Sequence, residues 1–250
     1  MTRIIMAGCN GKMGQVISGL VAADEDAKIV AGVDITEGQN DYLVYQKISE
    51  VEEEADVIID FSHPKLLDEI LDYAVANQVP AVLCTTGYTQ EQIDKITETA
   101  EKVALLRSAN MSLGINTMMK VMEAVTKVLS EAGFDIEIVE KHHNQKLDAP
   151  SGTALALADV INGQLNGEFD YKYDRSTLRE KRPKKEIGIS AVRGGTIVGE
   201  HEVIFAGIDE VIEFKHTAYS KAIFGKGAVS AAKFLKGKTA GLYNMRDVIG

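Results

Sequence analysis

One local pattern near the N-terminus restricts the fold more than anything else in the chain. The apolar run Arg3–Ala7 leads straight into Gly8-Cys9-Asn10-Gly11-Lys12-Met13-Gly14, after which Val16, Ile17 and Leu20 repeat at helical spacing. Strand, glycine-rich turn and helix, in that order, let a pyrophosphate approach the free N–H groups of a helix N-terminus. The spacing is G-x-x-G-x-x-G rather than the commoner G-x-G-x-x-G, but the backbone requirement is the same. A second strand, Lys28–Val33, ends at Asp34, 20 residues beyond Gly14. An acid there bonds the ribose hydroxyls of an adenosine. Its charge opposes a 2′-phosphate, Ile35 supplies no cation, and Lys12 is within reach of one. The expectation is use of NADH or NADPH, with NADH at least as good.

The rest of the first half repeats the alternation. Strands are expected at Asp56–Phe61, Ala81–Cys84 and Val103–Arg107, with helices at Pro64–Asn77 and Gln90–Glu101. This pattern predicts an α/β Rossmann-type domain with a parallel sheet. From Leu113 the texture changes. Ile115, Met118, Met119, Met122, Val125 and Leu129 mark a long helix whose methionines read as core packing. A strand Asp135–Glu140, a polar turn and a helix from Ser151 follow. Glu186–Arg193, Thr196–Ala206 and Asp209–Ala218 alternate like antiparallel strands with one wet face, and Lys221–Lys236 is again helical. An α+β domain with a mixed or antiparallel sheet is therefore expected after the first.

Charge removes other classes. The 250 residues carry a formal net charge of −10, so tracking a nucleic-acid backbone is not expected. Residues 1–113 hold 8 basic and 19 acidic side chains, whereas residues 114–250 hold 19 and 18. The near-neutral second half suits reception of a small anion. No run approaches 18 apolar residues and no signal-peptide pattern opens the chain, so no membrane span and a cytoplasmic location are expected. Two cysteines, Cys9 and Cys84, form no disulfide framework and lack partners at metal-ligand spacing. No metal is expected.

The densest chemistry is Glu140-Lys141-His142-His143-Asn144-Gln145-Lys146-Leu147-Asp148-Ala149-Pro150-Ser151-Gly152-Thr153-Ala154. A histidine and a lysine four residues on supply proton donors that also bind carboxylates. The helix start at Ser151-Gly152-Thr153 adds hydroxyl and N–H donors suited to an anion. Adjacent histidines point in different directions, which disfavours a metal pair. The segment reads as acid–base chemistry on an anionic substrate. The basic run Arg175, Arg179, Lys181, Arg182, Lys184 and Lys185 reads as a solvated loop.

This segment, with the Gly8–Gly14 loop, closely resembles the 4-hydroxy-tetrahydrodipicolinate reductase family, also called dihydrodipicolinate reductases. The family pattern E-x-H-H-x-x-K-x-D-A-P-S-G-T-A is matched throughout Glu140–Ala154. Asp60-Phe61-Ser62, Thr85-Thr86-Gly87, Ala109-Asn110-Met111-Ser112, Arg193-Gly194-Gly195 and Gly199-Glu200-His201 extend the likeness over the whole chain. The resemblance implies a cytoplasmic enzyme of the diaminopimelate route to lysine, reducing 4-hydroxy-tetrahydrodipicolinate with NADH or NADPH and releasing water. By motif position His142 is the proton donor and acceptor and Lys146 the proton donor. His143, Gly152 and Thr153 would bind a small dicarboxylate, and the helix-start reading adds Ser151 to them. Gly8, Cys9, Asn10, Gly11, Lys12, Met13, Asp34, Cys84, Thr85, Thr86, Ser108, Ala109, Asn110 and Met111 would bind the cofactor. The resemblance also implies a homotetramer. It further implies a nucleotide domain of residues 1–113 plus 222–250, and a substrate-binding and oligomerisation domain of residues 114–221. Two rivals are another two-domain NAD(P)-dependent dehydrogenase of amino-acid metabolism and a non-catalytic nucleotide sensor. The first does not explain the histidine motif, and the second would have lost it.

Overall fold

The computed structural model describes residues 1–108 and 110–250; the expectation placed on Ala109 lies outside the described residues. The chain divides into two compact units, Met1–Leu113 with Ala222–Gly250, and Gly114–Lys221.

In the first unit the elements are β1 (Thr2–Ala7), α1 (Lys12–Ala22), β2 (Ala27–Val33), β3 (Leu43–Tyr45), β4 (Val57–Asp60), α2 (Leu67–Asn77), β5 (Ala81–Leu83), α3 (Gln90–Thr99) and β6 (Ala104–Arg107). The strands are all parallel, in the order β12-β6-β5-β4-β1-β2-β3, where β12 is Gly241–Tyr243. β1 pairs with β2 on one side and β4 on the other, so the strand order reverses at the C-terminal end of β1. Open α/β sheets bind ligands at such a switch point, and the glycine loop begins there. Ile4, Met6, Ile59, Val82 and Leu106 face one core, whereas Ile5, Ile58, Leu83 and Leu105 face the other. A strand buried on both faces reads as a continuous apolar run, which is why these strands were legible.

The returning segment forms α6 (Ala222–Leu235), β12 and α7 (Met245–Ile249). Gly225, Gly227, Ala228, Ala231 and Ala232 are buried, giving α6 a face of small residues that approaches the sheet closely. A Cβ at Gly227 would fall 1.6 Å from the Met111 carbonyl oxygen. Lys233 pairs with Asp24 at 2.7 Å and Lys236 with Asp56 at 3.0 Å. The three-residue strands β3 and β12 escaped the sequence reading because they are partly exposed and lack the continuous buried apolar run of the equally short β5.

The second unit holds α4 (Leu113–Glu131, whose first residue belongs to the first unit), β7 (Asp135–His142), α5 (Gly152–Gln164), β8 (Asp170–Lys172), β9 (Glu186–Arg193), β10 (Gly199–Ala206) and β11 (Val211–Ala218). Its sheet runs β11-β10-β7-β9-β8 and is mixed. β10 is antiparallel to β7 and β11, as expected, but β9 is parallel to both β7 and β8. Alternation reports which face is wet and is blind to strand direction, so the antiparallel expectation for Glu186–Arg193 is corrected. One face packs on α4 and α5 through Ile136, Ile138, Ile187, Ile189, Val203 and Phe205; Met118, Met119 and Met122 are core residues there. The basic run is less free than a solvated loop. Arg175 binds Glu186, Arg182 binds Asp135 and Glu137, and Lys185 binds Glu168, tying this segment to the sheet.

Candidate active site

In the first unit the cofactor candidates gather at the carboxyl ends of β1, β2, β5 and β6, which share one edge because the strands are parallel. Gly8 has φ +78°, and a Cβ on it would meet the Phe61 carbonyl at 2.5 Å. A Cβ on Gly14 would meet the Gly8 carbonyl at 2.1 Å. The loop is thus folded as tightly as its glycines permit. Helices α3, α5 and α7 carry side-chain caps from Thr89, Ser151 and Asn244, but α1 starts at Gly11 with no side-chain cap and no acid in its first turn. That leaves the N–H groups of its first turn suited to an anion. The residues fit a dinucleotide.

Asp34 braces this loop. Its carboxylate accepts from the Asn10 N–H at 2.9 Å, the Thr36 N–H at 2.9 Å and the Thr36 hydroxyl at 2.7 Å. Partial burial pushes its pKa up, but the Thr36 and Asn10 donors outweigh that and hold it below the usual range. The Asn10 side chain is clasped by the Thr36 carbonyl and Asn40. Cys9 is fully buried with its sulfur beside Gly32, so it can serve a cofactor only through its backbone. Burial pushes the Cys9 thiol up to about 11 and Cys84 well above its ordinary value, which removes both as nucleophiles at neutral pH. Met111 lies in the core under α6. Ser108 donates to the Asn110 carbonyl. Cys84, Thr85 and Thr86 follow β5 directly. Beside them Asp60 is completely buried, accepting from Ser62 and from the Tyr88 hydroxyl, and burial raises its pKa.

In the second unit His142 ends β7, Lys146 sits in the following loop and Ser151 caps α5. The His142 Nδ1 lies 2.6 Å from Glu140 Oε2. Glu140 is completely buried, and Arg193 grips both of its oxygens at 2.7 and 2.8 Å. Burial alone would push Glu140 up; Arg193, His142 and the Ser151 N–H together hold it low. Lys146 Nζ lies 2.9 Å from Asp148, whose pKa it lowers. Both hydrogen-bonding groups of Ser151 are used internally: its N–H donates to Glu140, and its hydroxyl accepts from Ala154 and meets His201 Nε2 at 3.1 Å. The Ser151 hydroxyl is therefore engaged within the protein, and the Gly152 backbone hydrogen-bonds to the Asp148 carboxylate.

Glu140, Arg193 and His201 escaped the sequence reading of individual residues. Arg193 and His201 lie 53 and 50 residues from their partners, on strands whose neighbours the pattern does not reveal. Glu140 was visible, since its alternation with His142 puts both on one face of a strand.

His201 is 5% exposed, and burial, then the nearby His142, lowers its pKa to about 4 from 6.5. The folded protein thus refuses a proton that the unfolded chain accepts between these values. Stability is expected to be full above pH 6.5 and to fall by up to about 3 kcal/mol as the pH drops to 4. Urea midpoints for the wild type and His201→Gln at both pH values check this. Equal losses in the two proteins would assign the acid sensitivity elsewhere.

Among the described residues no group of three or more His, Cys, Asp or Glu is arranged to hold a metal, and no helix is long and apolar enough to cross a membrane. A doubly wound sheet with an uncapped glycine loop marks a dinucleotide-binding unit, and the second unit carries a buried carboxylate–histidine pair with a lysine. Residues 2–111 match the family described as dihydrodipicolinate reductase, N-terminus, and residues 114–249 match its C-terminus counterpart. The chain belongs to the 4-hydroxy-tetrahydrodipicolinate reductase family. It is 50% identical over 249 residues to the 4-hydroxy-tetrahydrodipicolinate reductase of Caldanaerobacter subterraneus subsp. tengcongensis, covering 100% of this chain and 98% of that protein. The Clostridium novyi enzyme of the same name is 49% identical over 250 residues, with the same coverage. A solved dihydrodipicolinate reductase from Paenisporosarcina sp. TG-14, with dipicolinate bound, superposes with a TM-score of 0.83 at 26% identity over 100% of both chains.

Proposed function

We propose that this chain reduces 4-hydroxy-tetrahydrodipicolinate to tetrahydrodipicolinate in the cytoplasm, with His142 and Lys146 as its proton-transfer residues. The observation that carries the reading is the Glu140–Thr153 segment, which sets a buried carboxylate–histidine pair, a lysine and a helix N-terminus on one strand–loop–helix stretch of the second unit. Lys146 and the Ser151–Thr153 helix start hold one carboxylate of the substrate, with His143 beside them. His142 and Lys146 assist departure of the 4-hydroxyl as water. NADH or NADPH, when bound, supplies hydride to C4 of the resulting conjugated imine. The enamine that forms then takes a proton from this same pair. The Paenisporosarcina protein's dipicolinate, a planar dicarboxylate, supports a substrate of that shape.

The first unit is the dinucleotide-binding domain, with Gly8–Met13, Asp34, Cys84–Thr86 and Ser108–Met111 as its contacts. The second is the substrate-binding and oligomerisation domain of a homotetramer. Its sheet face opposite α4 and α5 exposes Val211 and presents the charged Glu202, Glu213 and Lys215, a mixture suited to a partner. A monomer by sedimentation would overturn that assembly. NADH is at least as good as NADPH, because the charge of Asp34 at the end of β2 opposes a 2′-phosphate.

The activity is tested by supplying pyruvate and aspartate semialdehyde with the upstream synthase and following NADH absorbance. Oxidation that requires both the synthase and this chain supports the function, and its absence overturns it. Asp34→Ala is expected to raise the KM for NADH about 10-fold with little change in kcat, as fits loss of one hydrogen bond to a charged group. An unchanged KM would remove Asp34 from the cofactor site.

A further inference from the structure

The Glu140 carboxylate is saturated. Oε1 accepts from Arg193 Nη2 at 2.7 Å and from the Ser151 N–H at 2.9 Å; Oε2 accepts from Arg193 Nη1 at 2.8 Å and faces His142 Nδ1 at 2.6 Å. These four partners match the roughly four lone-pair sites of an ionised carboxylate. An ionised carboxylate only accepts, so the proton between the two residues belongs to Nδ1. The other ring nitrogen is aimed at Gly199, where a Cβ would lie 3.1 Å from it. Arg193 does a second thing: Nη2 also donates to the Asp148 carbonyl at 2.6 Å, holding the loop that carries Lys146.

We propose that Glu140 is a positioning residue for the reduction. Clamped by Arg193 and the Ser151 N–H, it fixes His142 as the Nδ1–H tautomer and leaves Nε2 to exchange the proton with substrate. This rests on the reading of His142 as a proton-transfer residue. The logic is that of any base oriented by a third group: a ring free to flip or to carry its proton on the wrong nitrogen presents the wrong atom. The carboxylate is chosen for this and not for substrate, because it is buried and its lone pairs are filled. Arg193 is likewise committed to the clamp and is not a substrate cation. Gly199 completes the arrangement, since any side chain there would press on Nε2.

Glu140→Gln is nearly isosteric; it removes the charge and replaces one acceptor oxygen by an amide NH2 that can only donate. It is expected to lower kcat by about 10²-fold or more, with the KM for NADH unchanged. In ¹H–¹⁵N spectra of histidine-labelled protein at alkaline pH, wild-type His142 should show the Nδ1–H tautomer, and Glu140→Gln should lose that preference. A kcat within about threefold of wild type, or an Nε2–H tautomer in the wild type, overturns the proposal. His142→Ala separates the two levels. Near-normal turnover there overturns the role of His142 itself, whereas a slow His142→Ala beside a fast Glu140→Gln overturns only the positioning role. The double variant should be no slower than His142→Ala alone; multiplied losses would mean general damage and reject the pairing. Should Glu140→Gln fail to fold, Gly199→Ala leaves the buried pair intact and crowds Nε2. It is expected to cut kcat at least about 10-fold with the tautomer unchanged, and an unaffected kcat would overturn the assignment of Nε2.

Discussion

Replacing Lys146 by alanine is expected to lower kcat by about 10²–10⁴-fold, the usual range for loss of a positioned proton donor. In the proposed mechanism the substitution removes an ammonium that both holds a substrate carboxylate and gives up a proton, so KM for the substrate should rise as well. Folding should be almost unaffected. The Lys146–Asp148 pair is partly exposed, with Asp148 at 58%, and such pairs contribute little to stability. A melting temperature close to wild type alongside the kinetic loss would therefore locate the effect in the reaction. Lys146→Arg sharpens the test. Guanidinium keeps the charge but does not release its proton near neutral pH, so binding should largely survive while kcat stays low. Near-normal turnover in Lys146→Ala would remove this residue from the mechanism.

The second large effect is expected at the glycine loop. Gly14 lies in the first turn of α1, where alanine would ordinarily stabilise a helix by about 1 kcal/mol. Here the sign reverses. The new Cβ would sit 2.1 Å from the Gly8 carbonyl oxygen and 2.6 Å from that of Cys9, and both are backbone atoms with no rotamer to change. Gly14→Ala should cost about 2–4 kcal/mol and abolish measurable NADH binding, because the loop must open to admit the methyl. Gly19→Ala, on the same helix with nothing within 4 Å of the added carbon, supplies the control and should stabilise modestly. Thermal melts and NADH fluorescence titrations of the two variants check the prediction. A Gly14→Ala protein that binds NADH normally would show that the loop is not built around this close approach.

Much of the nucleotide unit was readable because its decisive interactions are local. A strand, a turn and a helix within Thr2–Ala22 need only their own residues to declare themselves, and strands buried on both faces announce their apolar runs. The proposed proton-transfer pair lies equally close in sequence, since His142 and Lys146 fall in one short segment with the α5 cap. The support behind them was harder to see. Glu140 reads from the sequence as one more acid in an alternating strand, and only folding brings Arg193 against it from another strand. Ser151 shows the same limit from the other side. Its type and place suggested a hydroxyl offered to substrate, yet His201 and Ala154 engage that oxygen within the protein.

What the sequence determined by itself was the set of local devices: the glycine turn, Asp34 at a strand end, the histidine–lysine segment and the class of each long element. These follow from backbone freedom, capping and periodicity, which act over a few residues. The tertiary structure decided which strand lies beside which and in what direction. It made β9 parallel to β7, which places Arg193 beside His142 in register, and paired β12 with β6. Those outcomes depend on contacts between residues dozens of positions apart, and hydrophobic alternation carries no information about the partner or polarity of a strand. The residues of the proposed chemistry are written locally, but the Arg193–Glu140 clamp beside His142 exists only once the sheet has closed.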